Sequence, residues 1–200
     1  MKLIIADASP FARKLRVMLH ETGQMEAVEM LTVATTPINT APEVAAANPT
    51  GKIPALIRED GPAIYDSRVI ARYLDARFDA GLYPDARLWE TLTLEATADA
   101  IMDAAVLVTY ETRLRPEDKV FAPWMDAQWE KISRSVAAVN ARWMSHLAGP
   151  LDMSHITMGC ALAYLDFRHD ARGWRKGNEA LADWCAAFAE RESMKETAPQ

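Results

Sequence analysis

The 200-residue chain is poor in cysteine, with only Cys160 and Cys185, both inside helical patterns. A disulfide framework or a thiolate zinc site needs more ligands at closer spacing, and no Cys-x-x-Cys pair is present. The two thiols are read as buried and free, and no metal is expected. Basic clusters are also missing: Lys and Arg total 22 against 28 Asp and Glu, a formal net charge of -6. That balance argues against nucleic acid and against an anionic membrane surface as partners. No apolar run approaches the roughly 18 residues that cross a bilayer. Residues 1–7 lack the basic start, long apolar stretch and cleavage site of a secretory signal, so a cytoplasmic location is expected. No internal repeat or low-complexity tract is present.

What remains is an ordinary globular composition, 50% hydrophobic and 25% charged. Residues 2–6 form a short apolar run that predicts a buried strand. Ser9-Pro10 then supplies an N-cap and a proline at the first helical position. Phe11, Leu15, Met18 and Leu19 follow at helical spacing, and Gly23 is placed to end that helix. Residues 28–33 predict a second strand, and 34–48 a loop with room for one short helix. Residues 55–58 and 63–65 flank Asp60-Gly61 and predict a hairpin. Ser67 is expected to cap a helix beginning at Arg68, with Val69, Ile70, Tyr73 and Leu74 as its apolar face.

The pattern changes over residues 79–86, a short connector containing Gly81 and Pro84. Beyond it the chain reads as helix over 88–113, 123–147, 154–167 and 179–191, with Gly149-Pro150 as a break. The expectation is an α/β domain over 1–78, a linker over 79–86 and an all-α domain over 87–200.

Three segments carry a likeness: Ser9-Pro10-Phe11 after the first strand, the run from Asn48-Pro49-Thr50-Gly51-Lys52 through Ile53-Pro54-Ala55-Leu56, and Asp66-Ser67 after the hairpin. In this order and spacing they resemble the soluble glutathione S-transferase family, most nearly its bacterial members with a Ser-Pro-Phe site. The stretch from Asp152 to Arg168 resembles that family's buried sixth helix. The resemblance implies a thioredoxin-like domain followed by a helical bundle, a homodimer, glutathione as co-substrate with a small electrophile, and no further cofactor.

The resemblance gives Ser9 the task of holding glutathione's sulfur as a thiolate. The chemistry is sound, because a hydroxyl donating to sulfur and a helix N-terminus both favour the anion. Read alone, a Ser-Pro pair is more often only an N-cap. Phe11, Lys52, Ile53, Pro54, Asp66 and Ser67 are assigned to glutathione: a cis Ile53-Pro54 bond presents the Ile53 backbone, Ser67 takes the γ-glutamyl carboxylate, Asp66 its ammonium, and Lys52 the glycyl carboxylate. Asp99 is a further candidate for the ammonium, though a solvated helix face accounts for Asp99 and Asp103 as well. Met102, Val106 and Tyr110 share a helical stripe and, with Trp174, are candidates to line the electrophile's pocket; a core stripe explains them too. Asp152 is expected to cap the sixth helix, with the reciprocal bond from His155 in doubt. Two other readings stay open: a glutathione binder without turnover, and a dehalogenase, isomerase or reductase. No cysteine precedes Cys160, which disfavours disulfide chemistry at the Ser9 position.

Overall fold

The structure, a computed structural model, describes residues 1–199. It divides into two units, Met1–Asp85 with the residues from Glu192 onward, and Ala86–Arg191.

In the first unit the apolar opening run becomes the central strand β1 (Lys2–Ile5), parallel to β2 (Glu29–Thr32) and antiparallel to β3 (Ala55–Ile57), in the order β2-β1-β3. Leu3, Ile4 and Ile5 are all buried, which is why the run is continuous rather than alternating. A parallel β1–β2 pair requires a crossover, supplied by α1 (Pro10–Glu21). Ala12, Leu15, Val17, Met18 and Leu19 of α1 are buried. Gly23, at φ 67°, lets the chain turn back so that its N–H meets His20 O at 3.1 Å. The room in 34–48 is taken by α2 (Pro42–Ala47).

The hairpin is less than expected. Residues 63–65 contribute a single bridge, Leu56 to Ile64, with backbone bonds of 2.9 and 3.0 Å. Pro62 has no N–H to extend the ladder, and its carbonyl accepts from Arg58 Nε at 2.9 Å. The following helix, α3 (Ser67–Phe78), is capped one residue earlier than expected, by Asp66, whose side chain accepts from Arg68 N. Ser67, Ile70, Ala71 and Leu74 form its buried face, while Val69 is 49% exposed and Tyr73 half-buried.

Two boundaries also differ from the sequence reading. Residues 79–85 of the connector pack within the first unit: Leu82 and Tyr83 are buried, Leu82 N donates to Asp75 Oδ1 at 2.7 Å, and Arg72 lies over the Tyr83 ring. Residues from Glu192 onward, expected in the helical domain, also belong to the first unit. Arg13 is the cause. Its buried guanidinium donates to Met194 O at 2.8 Å and to Thr197 Oγ1 at 3.3 Å, on and just beyond α9 (Glu192–Glu196). Ser193 Oγ adds a bond to Glu21.

The second unit is helical: α4 (Leu88–Leu114), α5 (Ala122–Arg142), α6 (Met144–Leu147), α7 (Met153–His169) and α8 (Glu179–Ala189). The helix expected over 123–147 breaks at Trp143, whose ψ of 0° leaves the helical range. α7 is buried nearly all round and packs along α4, which also contacts α5. Among the described residues no helix is long and apolar enough to cross a membrane.

Candidate functional site

The first unit gathers its three polar motifs at one end of the sheet. Ser9 follows the C-terminal end of β1. Because β3 runs antiparallel, with Ile4 opposite Ala55, Pro54 lies at that same end. The Leu56–Ile64 bridge then returns the chain so that Asp66 also falls beside it.

Ser9 Oγ caps α1, accepting from Ala12 N at 3.3 Å. Its own O–H has no acceptor among the described residues, so it stands ready to donate. An unspent hydroxyl proton at the positive end of a helix dipole is a good neighbour for a sulfur anion. Phe11, in the first turn of the same helix, is half-buried.

The Ile53–Pro54 bond is cis, as is Tyr65–Asp66. Pro54 is buried and Ile53 half-buried. Neither the N–H nor the C=O of Ile53 enters a backbone hydrogen bond among the described residues. Lys52 is exposed, and its carbonyl is fixed by Asn48 Nδ2 at 2.8 Å. Asp66 Oδ1 accepts from Arg68 N at 3.0 Å and Oδ2 meets the Arg68 guanidinium at 3.2 Å. Burial raises the Asp66 pKa, but the Arg68 bonds and the Arg68 and Lys14 charges outweigh it and hold the carboxyl below its ordinary value. Ser67 is buried at the first helical position.

Family models match both units: the glutathione S-transferase N-terminal domain over residues 8–77 and the glutathione S-transferase C-terminal domain over 122–187. The GST-like protein YibF of Escherichia coli K12 is 33% identical, over 100% of this chain and 98% of its own length. The chain belongs to the glutathione S-transferase family.

Solved family members support the same placement. A glutathione transferase family member from Pseudomonas fluorescens Pf-5, with bound glutathione, is 42% identical with a TM-score of 0.96, covering 100% of this chain and 98% of that one. A second structure from that organism holds S-(propanoic acid)-glutathione, at 42% identity and a TM-score of 0.92, covering 100% of both chains. A glutathione S-transferase from Methylobacillus flagellatus KT with GSH bound is 36% identical with a TM-score of 0.85, covering 100% and 99%.

In the helical unit of this glutathione S-transferase family member, the candidate residues separate. Met102 is wholly buried and belongs to the core, whereas Val106 and Tyr110 are half-buried. Asp99 is buried at 5% exposure, so a solvated face does not describe it, while Asp103 is exposed. Trp174 is buried, and its indole N–H donates to Asp166 Oδ1 at 2.7 Å. Arg175 binds the same carboxylate and lies over the Trp174 ring. Trp174 is thereby pinned within its own unit.

Asp152 caps α7 with more partners than a simple cap requires. Oδ1 accepts from Ser154 N at 3.0 Å and from His155 Nδ1 at 2.8 Å. Oδ2 takes Thr91 Oγ1 at 3.1 Å and His146 Nε2 at 3.0 Å, with Arg87 Nε at 3.4 Å. The reciprocal contact, Asp152 N to His155 Nδ1, is 3.3 Å. One imidazole nitrogen cannot both accept that N–H and donate to Oδ1, and the shorter bond to a carboxylate puts the proton on Nδ1. Burial raises the Asp152 pKa, but the His155 and Ser154 hydrogen bonds and the field of His155 and His146 hold it far below the ordinary carboxylate range. The ligand atoms of His146, Asp152 and His155 lie within 4.8 Å of one another. The carboxylate is already engaged by these donors and faces a guanidinium, so the arrangement is a cap rather than a cation site. His146, Thr91 and Arg87 come from other elements, and no local pattern in the chain points to them.

A cleft of about 380 Å³ in the first unit is lined by Met1, Ala27, Glu59, Asp60, Tyr73 and neighbouring residues of α3. These mark the opposite end of the sheet from Ser9.

Proposed function

We propose that this chain is a glutathione transferase in which Ser9 holds glutathione's sulfur as the thiolate for attack on an electrophilic carbon. The observation that carries the reading is the Ser9 hydroxyl: it caps α1 through its lone pair and keeps its proton for a ligand. Glutathione bound to a relative 42% identical over the full chain supports the ligand. An S-substituted glutathione in the second such structure supports a thioether product.

A free thiol, with a pKa of about 8.5, is only a few per cent ionised at neutral pH. A hydrogen bond from Ser9 and the field of the α1 N-terminus stabilise the anion and leave its proton with solvent. The thiolate then forms a carbon–sulfur bond; either a leaving group departs with its electron pair, or a conjugated π pair moves to a neighbouring carbon that takes a proton. Ile53 offers N–H and C=O to the cysteinyl backbone, Asp66 and Ser67 face the γ-glutamyl end, and Lys52 the glycyl carboxylate, with Phe11 beside Ser9. Asp99 is a further partner for the ammonium. Val106 and Tyr110 line the electrophile's pocket, the working form is a homodimer, and the location is cytoplasmic. Both cysteines lie buried in the helical unit, which speaks against mixed-disulfide chemistry at Ser9.

The test is conjugation of glutathione to an aryl halide and to an unsaturated carbonyl by wild type and Ser9→Ala. A fall in kcat/KM of about a hundredfold, the usual consequence of removing one donor to a developing or stabilised anion, is expected. Unchanged turnover in the variant contradicts the role of Ser9. Binding of glutathione with no turnover of any electrophile favours the binder reading.

A further inference from the structure

The cleft of about 380 Å³ at the far end of the sheet from Ser9 lies wholly within the first unit. Its volume falls in the range of small-molecule sites, about 300–1,000 Å³. Tyr73, Arg77 and Phe78 reach it from the C-terminal half of α3, and Glu59 and Asp60 from the turn that follows β3. Tyr73 and Arg77 are four residues apart and share a helix face. Tyr73 and Phe78 are half-buried, so the cleft has an aromatic wall.

Arg58 holds the turn against α3. Its Nε donates to Pro62 O at 2.9 Å, its Nη1 lies 3.7 Å from Asp60 Oδ1, and its guanidinium sits 5.3 Å from the Tyr73 ring centroid. A Cβ on Gly61 would meet Arg58 Nη2 at 2.5 Å, so glycine leaves the room that the guanidinium occupies. Tyr73 O–H reaches Asp60 Oδ2 at 3.5 Å. Asp60 and Tyr73 are thereby committed to the wall itself.

The other two charges of the cleft are not. Lys2 pairs with Glu29 at 3.0 Å, Arg16 with Asp7 at 3.7 Å and Arg68 with Asp66 at 3.2 Å. Among the described residues, Arg77 has no carboxylate within ion-pair distance and Glu59 has no cation. They line one cleft, on different elements, and do not meet each other. The gap between them is room for a molecule with both charges, its ammonium towards Glu59 and its carboxylate towards Arg77. A free amino acid carries both charges on one carbon. A dipeptide spreads them across a peptide unit, about 3.8 Å between its Cα atoms, and brings a side chain to the aromatic wall.

We propose that this cleft is a second ligand site, which takes a zwitterionic dipeptide with an apolar or aromatic side chain. None of its residues is among those assigned to glutathione, so the site stands whether or not the transferase reading does.

The test is calorimetric titration of the full chain with four probes: alanyl-phenylalanine, its N-acetyl form, its C-terminal amide, and alanyl-glycine. Wild type, Arg77→Gln and Glu59→Gln are compared; both substitutions fall at exposed positions. Wild type is expected to bind alanyl-phenylalanine about fivefold more tightly than either capped form, the gain of a solvent-exposed ion pair. It is expected to favour it about tenfold over alanyl-glycine, which has no ring to bury. In Arg77→Gln the preference over the amide is expected to vanish while that over the acetylated form persists, and Glu59→Gln is expected to show the reverse. Equal affinity of wild type for all four probes overturns the proposal, as does a titration that fails to saturate up to about 10 mM. Preferences untouched by both substitutions overturn it too. Displacement of the dipeptide by saturating glutathione puts it in the glutathione site and overturns the cleft as its receptor.

Discussion

At Ser9 one hydroxyl caps α1 and, in the proposed reading, also donates to glutathione's sulfur. Ser9→Ala removes both the cap bond and the donor, so a loss of about 1 kcal/mol in chemical denaturation is expected alongside the loss of turnover. Ser9→Thr keeps an oxygen and a proton at the same place, and is expected to recover most of the stability. Asp152 is heavily committed within the helical unit. Asp152→Ala strands donors from Ser154, His155, His146 and Thr91, and a loss of about 3 kcal/mol or more is expected by denaturant titration. Loss within 1 kcal/mol contradicts the network. Spacing in the sequence showed a cap at Asp152 and His155, because a cap is local. His146 and Thr91 were not legible, since only tertiary folding brings them to the carboxylate. His169 sets the expected response to acid. Burial lowers its pKa below the ordinary 6.5, the Ala105 carbonyl opposes this, and Arg172 and Arg168 add to it. The unfolded chain therefore takes up the proton first, and stability present above about pH 6.5 is lost as pH falls below it. Thermal melts from about pH 7.5 to about pH 5.5 are expected to show this decline, and a smaller one in His169→Gln.

Among the elements, α7 shows how tightly the helical core is set. A Cβ on Gly159 would meet the Phe188 ring at 2.5 Å, and that ring is stacked on Trp184. Gly159→Ala gains up to about 1 kcal/mol in helix propensity and loses about 1–3 kcal/mol to overpacking, so a lower melting temperature is expected. A higher one would show that Phe188 moves aside freely. Period and cap signals made the helices legible to within a few residues, because their causes lie within about four positions of each other. The hairpin was overread for the opposite reason: apolar character in 63–65 suggests a strand, but Pro62 withholds the donor that would lengthen the ladder. On α3 the cap fell on Asp66 rather than Ser67, since both residue types cap well and only the fold chooses between them.

For the molecule as a whole, the change from strand-and-helix to helix alone marked the two units, and the Ser9, Ile53-Pro54 and Asp66-Ser67 segments marked the end of the sheet where they gather. The return of the chain after Glu192 to the first unit was not legible, because its cause is a long-range bond from a buried Arg13. Deleting residues 192–200 leaves that guanidinium without its acceptors at Met194 and Thr197, and a loss of about 2 kcal/mol or more is expected in the first unit. Hydrogen exchange of α1 amides reads it directly, and unchanged protection would contradict it. The central claim is that Ser9 turns a bound thiol into a thiolate. The measurement is the ultraviolet absorbance of the thiolate across pH for protein saturated with glutathione, in wild type and Ser9→Ala. The expected result is a bound thiol that titrates well below the free value of about 8.5, with the shift largely lost in the variant. A bound thiol that titrates as it does in water, or a shift untouched by the substitution, would contradict it.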